Sequence, residues 1–353
     1  MKWHTLPAAR FPECAERWTT LHARGPASVL LAHDFVAPLV AQFAPPDALL
    51  AWCEQDGVTL AIAVLRRSGR GAWSTLQPAQ APLGLWLQDP QAPLAPLLEG
   101  LLRALPGLPL VLGLTQLDPQ LQPRPESGPQ LRTLDYIATA RVTLGGGFEA
   151  YWNARGKNLR SNLRKQRARL ERDGIAARLE VVRDPAAMAE AVAQYGQLES
   201  AGWKAGQGTA VHADNAQGRC YRALFETLAA RGAASVCRYW FDERLVAMDL
   251  CVQDDDAIVV LKTAYDESVD GGLSPALLMR EEATRRLFGE ACLARIEFYG
   301  RVMEWHLRWT DEVRTMYHIN YYRWPALRRL HAMRDARGAR PATAPEVPAT
   351  GAP

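Results

Sequence analysis

Asp249 interrupts the otherwise apolar run AMDLCV, and a carboxylate in such a strand is costly to bury unless it is paired or put to use. Glu297 sits in RIEFYG between Ile296 and Phe298, so strand alternation turns it to the face opposite those neighbours, towards a cleft or towards solvent. His306 can exchange a proton near neutral pH or serve as a satisfied structural residue. Tyr299 and Tyr265 offer hydroxyl protons or simply pack their rings. Leu261, Lys262 and Thr263 lie towards the end of the strand AIVVLKTAYD, where the polar pair fits a cleft or a plain edge.

The turn DESVDGGLSPALLM adds a second kind of chemistry. Gly271 and Gly272 can take positive φ and let backbone approach a ligand closely, while Ser274 as N-cap and Pro275 as first helical residue mark a helix start. Free N–H groups at such a start suit a phosphate, although the same residues also make an ordinary strand-to-helix connection. Asp270 beside the turn would repel an anion unless it points away. In the Gly-flanked loop GWKAGQG, Trp203 and Lys204 read as a substrate lid. Residues 155–172, RGKNLRSNLRKQRARLER, are crowded with basic side chains, Arg160 and Arg164 among them, around a narrow stripe of Leu159, Leu163 and Leu170. Such a helix can grip a phosphate or an acidic acceptor.

The elements that must position these residues form a repeat. EQDGVTLAIAVLRRSGRGAWSTL, from Glu54, aligns without gaps on FDERLVAMDLCVQDDDAIVVLKT, from Phe241, each a pair of strands around polar turns. Each copy is preceded by helices and followed by an amphipathic helix and a short strand: LAPLLEGLLRALPG then PLVLGL, and SPALLMREEATRRLFGE then ARIEFYG. The unit is helix, helix, strand, strand, strand, helix, strand, twice over. The spacing predicts two α/β domains, each a mixed sheet flanked by helices, at 1–147 and 148–335, divided at Gly145 to Gly147. The first copy replaces the glycine turn with QPAQAPLGLWLQDPQAPL and reads as a degenerate, structural half.

Composition narrows the function. The 353 residues carry a net charge of +3, too little to make the whole chain a nucleic-acid binder by electrostatics. No apolar run reaches membrane-spanning length, and the N-terminus shows no secretory pattern, so a cytoplasmic location is expected. The cysteines lack CxxC spacing, and no metal is expected. The Pro- and Ala-rich end, 336–353, has little to bury and is predicted as a disordered tail.

The order of elements resembles the GNAT acyltransferase fold in its tandem form. The second half is similar to the cellulose-biosynthesis-type (CelD-like) acetyltransferases, distant relatives of the Fem-type transferases. The resemblance is carried by NLRSNLRKQRARLERDG, ESAGWKAGQGTAV, TAYDESVDGGLSPALLM and IEFYGRVMEWHLRWTDEVR. It covers roughly Tyr151 to Arg323. It implies transfer of an acetyl or other acyl group from acyl-CoA to an amine of a small molecule or cell-envelope precursor. Asp249, Glu297, His306 and Tyr299 are then the candidates for proton transfer. Leu261, Lys262, Thr263, Gly271, Gly272 and Ser274 would hold the donor, and Trp203, Lys204, Tyr265, Arg160 and Arg164 the acceptor. The competing expectation is a Fem-like, aminoacyl-tRNA-dependent transferase, or a module that binds RNA or an anionic surface through residues 155–172. Against nucleic acid, that helix has no interleaved aromatics for stacking bases.

Overall fold

The computed structural model describes residues 1–25, 28–201, 211–212 and 214–338; Trp203, Lys204 and the chain beyond 338 lie outside the described residues. The first half runs β1 (Lys2–Pro7), α1 (Ala15–Arg24), α2 (His33–Phe43), β2 (Leu49–Gln55), β3 (Val58–Gly69), β4 (Ala72–Thr75), β5 (Trp86–Gln88), α3 (Leu94–Ala104), β6 (Val111–Leu117) and β7 (Leu131–Thr143). Two further helices, α4 (Phe148–Asn153) and α5 (Lys157–Arg172), lead into the second half. That half is β8 (Ala177–Val182), α6 (Met188–Ala201), α7 (Ala216–Ala229), β9 (Ala234–Phe241), β10 (Arg244–Gln253), β11 (Ala257–Tyr265), α8 (Pro275–Glu290), β12 (Arg295–Phe298), α9 (Glu304–Leu307), β13 (Val313–Tyr322) and α10 (Pro325–Gly338).

Apart from β5 and α9, the two halves share one order: strand, two helices, three strands, helix, two strands. The duplicated mixed α/β unit expected from the sequence is present. It also includes an opening strand (β1, β8) and a closing strand (β7, β13) outside the repeat as read above. Asp56 and Asp242 mark the equivalent hairpins, each in the left-handed region at φ 52°. That equivalence is one residue out of step with the gap-free alignment, which sets Asp56 against Glu243.

The described strands form a single sheet in the order β1-β2-β3-β4-β6-β13-β7-β12-β11-β10-β9-β8, with β5 paired to β3. The halves exchange their last strands. β7, which closes the first half, pairs antiparallel with β12 of the second, and β13 pairs antiparallel with β6 of the first. β7 and β13 also pair with each other, so the middle of the sheet is knitted from both halves. One hydrophobic core continues across this seam: Trp18, Phe35 and Leu39 from α1 and α2 bury in the same cluster as Tyr195, Leu224 and Phe225 from α6 and α7. On the other face of the second half, α5 and α8 cover β9 and β10 through Leu159, Leu163, Leu278, Met279, Tyr239 and Val246.

Candidate active site

The site begins with a fork between two parallel strands. β11 and β12 pair only from Ala257–Arg295 to Val259–Glu297. Beyond Val259, β11 continues to Tyr265 with β10 alone beside it. Its ladder with β10 slips between Leu250 and Cys251, whose partners are Lys262 and Val260. Leu261 is therefore the extra residue of a bulge, which lets two successive side chains share a face. Leu261 packs into the core that α6 and α7 bury, and Lys262 meets Glu199 of α6. Thr263 points to the opposite face, where α8 lies.

A cleft of about 770 Å³ opens beside the fork, at the N-terminal end of α8. Thr263, Tyr265 and Ala264 of β11, Gly271 and Ser274 of the turn, Leu277 and Arg280 of α8, and Trp305 and Trp309 line it. The wall is largely apolar with a few polar groups, the usual make-up of a small-molecule site.

Asp249, singled out as an anomaly, is fully buried and held from two sides, by a hydrogen bond at Oδ1 and by an ion pair at Oδ2, which itself makes no hydrogen bond. Thr263 Oγ1 donates to its Oδ1 at 2.5 Å, and Arg280 Nη2 lies 2.8 Å from its Oδ2. Burial pushes the Asp249 carboxyl above the ordinary range, and the Arg280 charge opposes that rise. Asp249 is outside the cleft wall; Arg280, which it holds, is on it. The Asp249 carboxylate therefore faces the Arg280 guanidinium and the Thr263 hydroxyl and not the cleft.

Glu297 and Tyr299 belong to a different cluster, behind the fork. Alternation placed Glu297 correctly, opposite the buried Ile296 and Phe298. Both of its oxygens are engaged, Oε1 with Arg295 Nε at 3.0 Å and Oε2 with Arg314 Nη1 at 2.8 Å. Burial raises its carboxyl, with Arg314 opposing. Arg314, from the exchanged strand β13, also donates to both oxygens of Asp118, and the Tyr299 hydroxyl donates to Asp118 Oδ2 at 2.9 Å. This network ties the two halves together. Neither Glu297 as base nor Tyr299 as acid is supported, because their reactive atoms already have partners inside the seam.

His306 is likewise spent locally. Its Nδ1 accepts the Met303 N–H at 3.0 Å, capping α9, and its ring stacks on Trp305 at 3.6 Å between centroids. Burial lowers its pKa to about 4. Lys262 Nζ binds Glu199 at 2.9 Å and sits 5.6 Å over the rings of both Tyr195 and Tyr221. Its side chain is thus held in an ion pair; Glu199, buried, itself lines the cleft.

The glycine turn borders the cleft, but its donors are largely committed. Asp270 Oδ1 accepts the Gly272 N–H at 2.8 Å while Arg169 Nη1 binds the same oxygen at 3.0 Å. Gln166 of α5 reaches across so that its Oε1 accepts the Ser274 N–H at 2.8 Å. Neither Gly271 nor Gly272 adopts positive φ. A Cβ at Gly272 would collide only with the end of the flexible Arg169 side chain, which can move aside. The expected three-residue phosphate cradle is thus closed at two of its three amides by side chains of the chain itself. Arg160 and Arg164 line a neighbouring hollow of about 520 Å³ with Trp152, Lys157, Ser161, Arg167 and Glu281. Trp152 packs on Trp309 of the cleft wall, 5.8 Å between ring centroids, so the basic hollow and the cleft share a wall.

The first half has the same fork, and it is filled. β4 and β6 pair from Ala72–Val111 to Ser74–Gly113 and then part. There the Thr115 N–H donates to Thr75 Oγ1 at 3.0 Å, and Gly84, from the Pro-rich connection, lies so close to both threonines that a Cβ would clash with the Thr115 carbonyl. Leu76 and Leu85 are hydrogen-bonded to Val64 and to each other, which locks the connection in place.

Sequence reasoning missed Arg280, Glu199, Gln166 and the Asp118–Arg314 pair. Arg280 sits in a helical run, MREEATRR, that resembles a solvated face, and Asp118 meets its partners only through the strand exchange. Among the described residues no group of His, Cys, Asp and Glu could hold a metal, and no helix is long and apolar enough to cross a membrane.

A family model described as an acetyltransferase (GNAT) domain matches residues 157–307. A search of curated proteins finds no significant match. Among solved structures, the C-terminal domain of a lysylphosphatidylglycerol synthetase from Agrobacterium fabrum is similar with a TM-score of 0.55 at 16% identity, over 92% of this chain and 96% of that one. FemX superposes with a TM-score of 0.55 at 9% identity, over 94% and 99% of the two chains. L-PGS from Bacillus licheniformis gives 0.51 at 12% identity, over 87% and 91%.

Proposed function

We propose that this chain, whose residues 157–307 match a family model described as an acetyltransferase (GNAT) domain, transfers an acetyl or other acyl group from acyl-CoA to the amine of a small molecule or envelope precursor, in the cleft of the second half. The observation that carries this reading is the fork at Val259 and Glu297, which opens onto the 770 Å³ cleft at the start of α8. A long, thin donor can lie along the unpaired edge of β11, whose backbone groups beyond Val259 are released from the ladder. We place its acyl end near Thr263 and Arg280 and its phosphates towards the N-terminus of α8 and the Arg160–Arg164 hollow. The residues lining the cleft all come from the second half, and the first half is assigned no second donor site, since its own connection occupies the corresponding fork.

In the reaction the amine nitrogen bonds to the thioester carbonyl carbon as the carbon–sulfur bond breaks; the electron pair leaves on sulfur, and the proton lost by the amine ends on the thiol. Glu199, the buried carboxylate of the cleft wall, is assigned the amine's proton, which requires it to release the Lys262 ammonium that binds both of its oxygens, at 2.9 and 3.2 Å. Tyr265, half exposed on the rim, faces the acceptor.

A second reading is favoured by one observation, the basic hollow on α5: a Fem-like transferase whose donor is an aminoacyl-tRNA, consistent with a fold shared with FemX. Calorimetric titration with acetyl-CoA and longer acyl-CoAs separates the two. Saturable binding that resists nuclease and varies little with salt supports the first; no acyl-CoA binding, together with a salt-dependent shift of tRNA, supports the second.

A further inference from the structure

Arg280 has an unusual setting. Only 5% of it is exposed, yet it lines the cleft. Its guanidinium lies between the two arms of the fork: Nη2 is 3.2 Å from Thr263 Oγ1 on β11, and its carbon is 5.3 Å from the Phe298 ring centroid on β12. Nη2 serves both Asp249 and Thr263, while Nη1 and Nε make no hydrogen bond to another described residue. Neither of these two donors is a buried atom left without a partner, so both reach the space of the cleft, where a ligand atom can accept from them. The chemistry of that atom follows from the charge. Asp249 neutralises Arg280, so the pair does not call for an anion; it offers oriented N–H groups to a neutral oxygen that gains negative charge during reaction.

We propose that Arg280 is the group that donates hydrogen bonds to the acyl carbonyl oxygen of the thioester, with Asp249 and Thr263 as positioning residues behind it. This rests on the cleft being the donor's site. Thr263 braces the guanidinium from β11, and the Asp249 carboxylate fixes its plane from β10, the strand paired to it. Polarising the carbonyl in this way draws electron density from the carbon that the amine attacks, in a setting of low dielectric where fixed donors are most effective.

The test is the infrared carbonyl band of acetyl-CoA labelled with carbon-13 at the thioester carbonyl, recorded free and bound to the full-length protein. Wild type is expected to move the band to lower frequency. Arg280→Met, and the double variant Asp249→Leu/Arg280→Met that leaves no charge unpaired, are expected to bind the labelled donor and lose that shift; Thr263→Val is expected to give a smaller one. An equal band position in bound wild type and the bound double variant overturns the role of Arg280 while leaving the cleft as donor site. Failure of wild type to bind acetyl-CoA overturns the donor site, and the role of Arg280 with it.

Discussion

Arg280 Nη2 and Asp249 Oδ2 lie 2.8 Å apart, joining α8 to the centre of the second half's sheet by an ion pair with almost no access to water. Removing one partner of such a pair strands a buried charge, which costs about 3–5 kcal/mol, whereas replacing both by apolar residues is often neutral. Asp249→Ala is accordingly expected to lose stability on that scale in urea unfolding, and Asp249→Leu/Arg280→Met much less. Equal losses in the two proteins would mean that the pair is not the stabilising unit.

His306 predicts a pH dependence. Its pKa is about 4 in the folded chain against an ordinary 6.5, so between those values the unfolded chain binds more protons. Its contribution to stability is therefore full above pH 6.5 and is lost as pH falls towards about 4. His306→Asn keeps an acceptor for the Met303 N–H without titrating in this window. Thermal melts should show the gap between wild type and variant shifting against wild type as pH falls from 6.5 to 4.5. An unchanged gap would mean that His306 is protonated as readily in the folded chain as in the unfolded one.

The duplicated order of elements was legible because it is written in local hydrophobic runs and turn residues such as Asp56–Gly57 and Ser274–Pro275. The exchange of β7 and β13 was not, since it is a pairing between segments far apart in the chain with nothing local to announce it. Asp249 could be recognised as out of place in an apolar strand, but its meaning lay in Arg280, whose helix also carries the exposed Arg285 and Arg286 and so hides one buried arginine among exposed ones. The glycine turn misled for a related reason. Its backbone donors were visible in the sequence, but the acceptors that consume them, Asp270 and Gln166, act through side-chain geometry.

Gly84 tests the filled fork of the first half. Gly84→Ala forces a methyl group against the Thr115 carbonyl and should cost about 1–3 kcal/mol by overpacking. Acetyl-CoA affinity should stay at the wild-type value in calorimetry. A large drop in affinity with little loss of stability would place donor contacts in the first half.

Glu199 is assigned the amine's proton, and general-base catalysis contributes about 10²–10⁴-fold to rate. Once an acceptor is found by screening acetyl-CoA consumption against pooled amines, amino acids and amino sugars, Glu199→Gln should lower turnover by at least about 10²-fold while donor affinity is retained. Turnover close to wild type would move the proton acceptor elsewhere.

In the proposed function the donor occupies the fork of the second half and not that of the first. Hydrogen–deuterium exchange with and without saturating acetyl-CoA tests it most directly, because both forks are read in one experiment. Slowed exchange is expected in peptides covering 260–265 and 271–280, with no change in 72–88 or 111–118. Protection confined to the first-half peptides, or none in the second half at saturating donor, would contradict it.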